Sequence, residues 1–478
     1  MAPAILHAEA DASAQNCNAA NKQLAQSDSP SLLHRSLLEK PHRVIRGSGS
    51  YLYLEDGRKI LDACGGAAVA IIGHGNDEVA QAALDQMRQV SYVHTLSYTT
   101  DSAENLARSI LKSNDSGFDH GLVKAFFVGS GSEANDAAMK CARQHWYEKG
   151  QTQRRYFVSR LQGYHGNTIG AMSVSTMVGR KIPYQDILLP HISHVSAADV
   201  YHGLRDGETE EEFTQRLIAE IEAEFLRLGP ENIISFMAET VVGAALGTMT
   251  APKGYWPAVR NLCNQYGILL HLDEIMCGMG RTGTFFAFEQ EGIQPDIVTI
   301  GKGLGGGYSP IAAMLINSTI VDTLRKGTSA FNHGQTYQAH PVSCATALAV
   351  QTILRRDDLL ERVRYLGSML KHLLSTTFSG CDYVGDIRGR GLFWSLEFME
   401  DKAQKCPFPR EFHFGPRVQL AAFNMGVAIY PGSGTIDGLN GDHVIFAPPY
   451  TTTEEELEVA VATVKKAYDE VVAAYFSL

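Results

Sequence analysis

Two residues in the middle of the chain stand where a sheet enzyme would place its chemistry. Asp273 follows the apolar run from Ile268 to Leu272, and Lys302 lies just past the run from Ile297 to Ile300. In an open α/β sheet, side chains at the carboxyl ends of strands project from a rigid frame into a crevice. A carboxylate and an amine brought to one such edge suit pyridoxal phosphate. The amine can hold the cofactor aldehyde as a Schiff base, and the carboxylate can keep the pyridine nitrogen protonated. Taken singly, an Asp or Lys at a strand end is more often a cap or a solvated terminus.

The same stretch offers a competing phosphate motif. Gly301-Lys302-Gly303-Leu304-Gly305-Gly306 fits G-x-G-x-x-G, with Asp322 at a plausible distance for a ribose contact. That fingerprint needs a helix directly after the glycines. Here Gly307, Ser309 and Pro310 intervene and a new apolar run, Ile311 to Ile316, begins at once, so the dinucleotide reading fails. A G-x-x-x-x-G-K-[ST] loop is absent, because Gly303 follows Lys302.

The elements that would position this pair are readable upstream. Tyr51 to Asp62 alternates around Asp56-Gly57, a strong hairpin signal. Helical periodicity runs from about Asn76 to Gln89 and from Ser102 to Lys112. Val123 to Val128 reads as a buried strand, followed by Gly129-Ser130-Gly131-Ser132-Glu133-Ala134-Asn135 and a helical pattern to Lys149. Ser130 and Glu133 form an S-x-x-E capping box, and a glycine-rich turn feeding a helix start is a ready phosphate site. Strand-like runs recur at Tyr156 to Ser159, Ile192 to Val195 and Ile233 to Ala238. Between the last two, Glu210 to Leu228 reads as a helix stopped by Gly229-Pro230. This alternation predicts an α/β fold, a mostly parallel sheet with helices on both faces. After about Gln338 the texture changes: Leu392 to Phe398 reads as a strand and Thr453 to Tyr475 as a closing helix, which predicts a smaller α+β domain. The expected organisation is a tail at 1–30, a segment joining the small domain at 31–75, a large cofactor-binding domain at 76–338 and the small domain at 339–478.

Length and composition exclude several classes. The 478 residues suffice for a large core, and 45% apolar with 19% charged residues is ordinary for a globular chain. A net charge of -11 without a basic run argues against nucleic acid as partner. The 8 cysteines are scattered with no zinc spacing, so no metal is expected. No apolar run is long enough for a membrane span, and Met1 to Pro30 lacks the features of a targeting segment, so the expected setting is the cytoplasm.

In combination these motifs resemble one family. Gly129 to Asn135, Tyr164-His165-Gly166, Asp273-Glu274, Gly280-Arg281-Thr282-Gly283, Lys302-Gly303 and His333-Gly334-Gln335-Thr336-Tyr337 before His340-Pro341 are similar to those of class III, fold-type I, pyridoxal-phosphate-dependent aminotransferases. The resemblance covers roughly Arg35 to the C-terminus. It implies that Lys302 bonds the cofactor and carries the proton, that Asp273 pairs with the ring nitrogen, and that Gly131 and Ser132 hold the phosphate. It implies further that Tyr164 lies against the ring, that His165 orients its neighbours, and that Glu239 supports the cofactor from the end of its strand. The residue matching Thr336 reaches the neighbouring subunit's phosphate in the family, which implies a homodimer with shared sites.

Departures from the family pattern bear on substrate. Members using ornithine-like or 4-aminobutyrate-like substrates have a glutamate at the position of Ala244 and an arginine at that of Ile445, shortly before Pro448-Pro449. The mobile arginine that amine-type members often carry is missing from Tyr430 to Asn440, Met276 replaces a glutamine, and Ala68 replaces a tryptophan. Arg281 and Arg388 remain, in glycine-rich motifs where the family uses arginine to hold the fold. The expectation is amino transfer, by a ping-pong mechanism, from an ω-amine or bulky apolar amine to a keto acid or aldehyde. Racemase, decarboxylase and phospho-lyase activities share the scaffold and stay open, as does a silent interaction protein.

Overall fold

The computed structural model describes residues 31–113 and 116–477; the tail expected at 1–30 lies outside them. Its central feature is a seven-stranded sheet in the order Leu122–Val128, Ala312–Asn317, Ile297–Ile300, Leu269–Asp273, Ile233–Glu239, Tyr156–Arg160, Ile192–Val195. Ala312–Asn317 is antiparallel to both its neighbours, and the other pairings in the sheet are parallel.

Both faces of this sheet are covered, which explains why its central strands read as continuous apolar runs rather than alternating ones. Leu270, Leu272, Val298 and Ile300 join one core cluster, which also takes Phe213, Leu217, Ile221 and Phe225 from the helix Glu210–Leu228. Leu269, Ile297, Met314 and Ile316 join the other, with Ala137, Ala138, Cys141 and Trp146 of the helix Gly131–Glu148. A period of two along each strand thus separates the two layers.

The hairpin Tyr51–Leu54 and Lys59–Asp62 forms as its Asp-Gly turn predicts, and Lys59–Asp62 then pairs in parallel with Val427–Ala428 from the far end of the chain. Val384–Gly389, Trp394–Phe398, Asp442–Phe446 and Tyr430–Ser433 make a separate antiparallel sheet. The helix Glu454–Tyr475 packs beside it, started by the Thr453/Glu456 capping box. The box expected at Ser130 is only half made. Ser130 Oγ accepts the Glu133 N–H, but Glu133 Oε2 is buried and unpartnered instead of returning to Ser130.

Candidate active site

The parallel strands end at one edge of the sheet, and the candidate residues collect there. Asp273 is the last residue of its strand, opposite Glu239 on one side and Thr299 on the other. It is buried, and each oxygen is used. Oδ2 accepts from His165 Nδ1 at 2.8 Å and Asn135 Nδ2 at 2.9 Å, and Oδ1 accepts the Ile275 N–H at 3.0 Å. Burial alone would push this carboxyl up. The His165 bond and charge, the Ile275 amide and Asn135 together outweigh it and hold the group below the ordinary carboxylate range. Asn135 is itself fixed, donating to the His165 carbonyl at 2.6 Å and accepting from Thr299 Oγ1 at 2.7 Å.

Lys302 opens the one-turn 3₁₀ segment Lys302–Leu304 directly beyond its strand. Its φ of 43° lies in the left-handed region, which costs a non-glycine residue about 1–3 kcal/mol and concentrates at working sites. Burial pushes its amine down to about 8, against the pull of Glu239 and Asp273. An amine lowered this far is a nucleophile near neutral pH.

Asp273, Lys302, Glu239, Tyr164, His165, Gly131 and Ser132 line a single cavity of ≈ 450 Å³. Gly131 and Ser132 start their helix, so their amides precede its first internal bond and are available to an anion. Only glycine fits at 131, since a Cβ there would come within 2.9 Å of Ile275 Cγ2. Glu239 uses both oxygens on backbone, accepting from Tyr164 N at 3.0 Å and Gly243 N at 2.9 Å. Its carboxyl is raised, first by burial and then by Asp273. Geometrically, Glu239 ties the Tyr164 loop to the wall carrying Ala244.

Thr336 stands apart from this group. It is exposed, in the segment between the helices Ser318–Lys326 and Pro341–Arg356, and it does not line the cavity. The motif reading also left out contributors. Asn135 clamps Asp273, Ile275 lies in the cavity wall, and Tyr308 joins the wall while its hydroxyl bridges Asn76 N and Gly73 O. Asn135 was visible only as the last letter of the glycine-rich motif.

The stretch of wall around Ala244 is apolar, while Ser130, Tyr308 and Ser309 place hydroxyls on other parts of the lining. Ala244 and Met276 line the cavity and pack with Ala68 and Ile445 in one buried cluster. Ala68 does not itself face the cavity; its neighbour Val69 does. Arg281 and Arg388 are buried and bound to backbone. Arg281 Nη1 donates to the carbonyls of Leu392 and Pro448, while its Nε and Nη2 have no hydrogen-bond partner among the described residues. Arg388 donates to the carbonyls of Leu246 and Gly247.

Residues 36–468 match the model of the class-III aminotransferases. The chain belongs to that family. It is 46% identical over 443 residues to an uncharacterized aminotransferase of Schizosaccharomyces pombe, covering 93% of this chain and 96% of that one. It is 32% identical over 440 residues, 91% of each chain, to a diaminobutyrate–2-oxoglutarate transaminase of Halomonas elongata. Among solved structures it resembles the ω-transaminase of Pseudomonas jessenii in complex with PMP, with a TM-score of 0.86, 32% identity, and coverage of 95% of this chain and 98% of that one.

A class III aminotransferase is a pyridoxal-phosphate enzyme of fold type I, and this one catalyses pyridoxal-phosphate-dependent amino transfer. The residues present suit the group. A buried amine of lowered basicity, a carboxylate held ionised and a helix start with free amides share one cavity.

Proposed function

We propose that the enzyme takes its amino group from a bulky apolar or ω-amine and passes it to a small keto acid or an aldehyde. The observation that carries this reading is the uncharged cluster of Ala68, Ala244, Met276 and Ile445, where a carboxylate clamp and its glutamate partner would have to stand. A bidentate arginine is the usual means of orienting a dicarboxylic acid, and burying an uncompensated carboxylate against alkyl groups is costly.

When bound, the cofactor supplies an electron sink for the carbon that loses its proton. Lys302, the buried amine at the sheet edge, would hold the cofactor and would carry the proton that the substrate carbon gives up. Asp273 keeps the ring nitrogen protonated, and His165 and Asn135 fix the Asp273 carboxylate for that task. The amides of Gly131 and Ser132 would hold the phosphate, and Tyr164, in the same cavity lining, would pack on the cofactor. Glu239 supports the site by binding the Tyr164 and Gly243 amides rather than by touching the reacting atoms.

The homodimer belongs to the same proposal. Thr336 is exposed and outside its own cavity, and Tyr337 beside it is 65% exposed, which supports a loop that serves a second copy. A cytoplasmic setting accords with seven free cysteines among the described residues, none paired. No helix among those residues is long and apolar enough to cross a membrane.

The test is a donor screen on purified holoenzyme without acceptor, following loss of the cofactor's visible absorbance. An arylalkylamine, a terminal diamine and 4-aminobutyrate are compared at equal concentration. The reading expects the arylalkylamine or the terminal diamine to discharge the enzyme fastest; 4-aminobutyrate as the fastest donor would overturn it.

A further inference from the structure

The cavity wall that carries Ala244 is tied down by a buried charge cluster remote from the reacting atoms. Val241–Val242 and Met249–Thr250 pair as a short ribbon, and residues 243–248 form the bend between them. One end of the bend is held by Glu239 through the Gly243 amide. The other is held by Arg388, whose Nε donates to the carbonyls of Leu246 at 3.1 Å and Gly247 at 2.8 Å. Thr248 Oγ1 donates to the Arg388 carbonyl at 3.0 Å.

Arg388 is steered in turn by two acids. Its Nη1 lies 2.8 Å from Asp386 Oδ2 and 2.6 Å from Glu397 Oε2. Glu397 is fully buried, and its other oxygen faces His202 Nε2 at 3.3 Å. The far side of the imidazole, Nδ1, donates to Asp199 Oδ2 at 2.7 Å. Nδ1 is thus hydrogen-bonded to one carboxylate, while Nε2 lies within ion-pair range of a second without a hydrogen bond, so the ring is attracted on both sides only when both nitrogens carry protons.

We propose that His202, as an imidazolium between Asp199 and Glu397, is a positioning residue for the substrate wall at Ala244. Three carboxylates, Asp199, Glu397 and Asp386, surround one permanent cation, Arg388. Without the charge on His202, Glu397 and Asp199 are left less compensated in a poorly solvated space. The Arg388 guanidinium is then drawn toward the acids and away from the Leu246 and Gly247 carbonyls. The wall loosens while Lys302 and Asp273 keep their places.

The groups facing His202 agree with this assignment. Burial alone would lower its basicity, but the Asp199 bond and the Glu397 and Asp199 charges outweigh it, with Arg388 opposing, and the net shift is upward. On its own helix, the Tyr201 hydroxyl is pushed up to about 12, first by burial and then by Glu397, and stays neutral. Lys405 donates to the Tyr201 carbonyl, and Arg216, paired with Glu208, donates to that of Gly203. His443, from the strand beneath, is lowered to about 3 by burial and by Arg388, so it does not titrate with His202. Because the folded value of His202 is raised, its contribution is complete below the unfolded value and is lost as pH rises through the folded one.

The inference rests on the proposed role of Ala244, the cavity-lining residue of the 243–248 bend, as substrate wall. Its test uses whichever donor the screen finds best, so it does not depend on the apolar-amine reading. Steady-state KM and kcat are measured from about pH 6 to about pH 9 for the holoenzyme, His202→Gln and His202→Gln/Glu397→Gln. Comparing enzymes cancels the donor's own ionisation. The expected result is a donor KM raised roughly tenfold in His202→Gln at low pH, with kcat within about twofold, since a displaced wall misplaces the substrate. The wild-type KM should climb toward the variant's value as pH rises, and the double variant, with the buried anion removed as well, should recover. Identical KM–pH curves for wild type and His202→Gln would overturn the proposal. So would a loss of thermal stability with KM unmoved, which would make the histidine a packing element only.

Discussion

At the floor of the cavity Asp273 accepts three hydrogen bonds, and the residues that donate them are themselves bonded or packed. In the cavity wall, Ala244 and Met276 offer no charged group to a substrate, and Ala68 and Ile445 back them in one buried apolar cluster. In the function proposed, the floor binds the cofactor and holds an ionised carboxylate in a buried place, which calls for a saturated hydrogen-bond set. The Ala244 and Met276 stretch of wall, in the same proposed function, faces two successive substrates and selects them by shape. On that proposal chemistry and substrate choice fall to separate parts of the site, and each should break without the other.

The floor should break hardest. Lys302→Ala is expected to lose turnover by roughly 10⁴-fold or more, because the proposed function gives one residue the parts of both bonded amine and proton carrier. Borohydride reduction followed by peptide mapping should place the wild-type adduct on Lys302. The cofactor-free wild type should take up pyridoxal phosphate faster as pH rises through about 8, where burial places the loss of the lysine's proton. Asp273→Asn keeps the shape and removes the charge. It should slow turnover by roughly a thousandfold and weaken cofactor affinity, as other losses of electrostatic support do, with near-normal turnover at full loading as the contrary outcome.

The wall should respond more gently and in specificity. Ile445 is fully buried, so Ile445→Arg alone should destabilise the enzyme by about 3–5 kcal/mol as an unpaired charge, readable as a lowered Tm. Adding Ala244→Glu supplies a partner. The double variant should recover part of that loss and raise kcat/KM for 2-oxoglutarate by roughly tenfold, about the worth of one added charged pair.

These two parts also differ in how far the sequence reveals them. Asp273 and Lys302 were legible because strands buried on both faces leave unbroken apolar runs, and a charge at the end of such a run stands out. The helix Glu210–Leu228 was legible to the residue, because its cap, apolar face and Gly-Pro stop are all local. Local rules could not supply the clamp on Asp273: Asn135 is 138 residues away and His165 is 108. Nor could they show that His202 meets Glu397, or that Lys59–Asp62 pairs with Val427–Ala428. The half-made capping box at Ser130 shows the converse, a correct local motif altered when burial took the Glu133 carboxylate elsewhere.

The central claim is that the wall lacks a clamp for a second carboxylate, and acceptor choice tests it most directly. With one amine donor held saturating, kcat/KM is measured for pyruvate and for 2-oxoglutarate on the purified enzyme. The uncharged cluster of Ala68, Ala244, Met276 and Ile445 predicts a clear preference for pyruvate. A preference for 2-oxoglutarate would contradict the account and require a cation in the site that neither Arg281 nor Arg388 supplies.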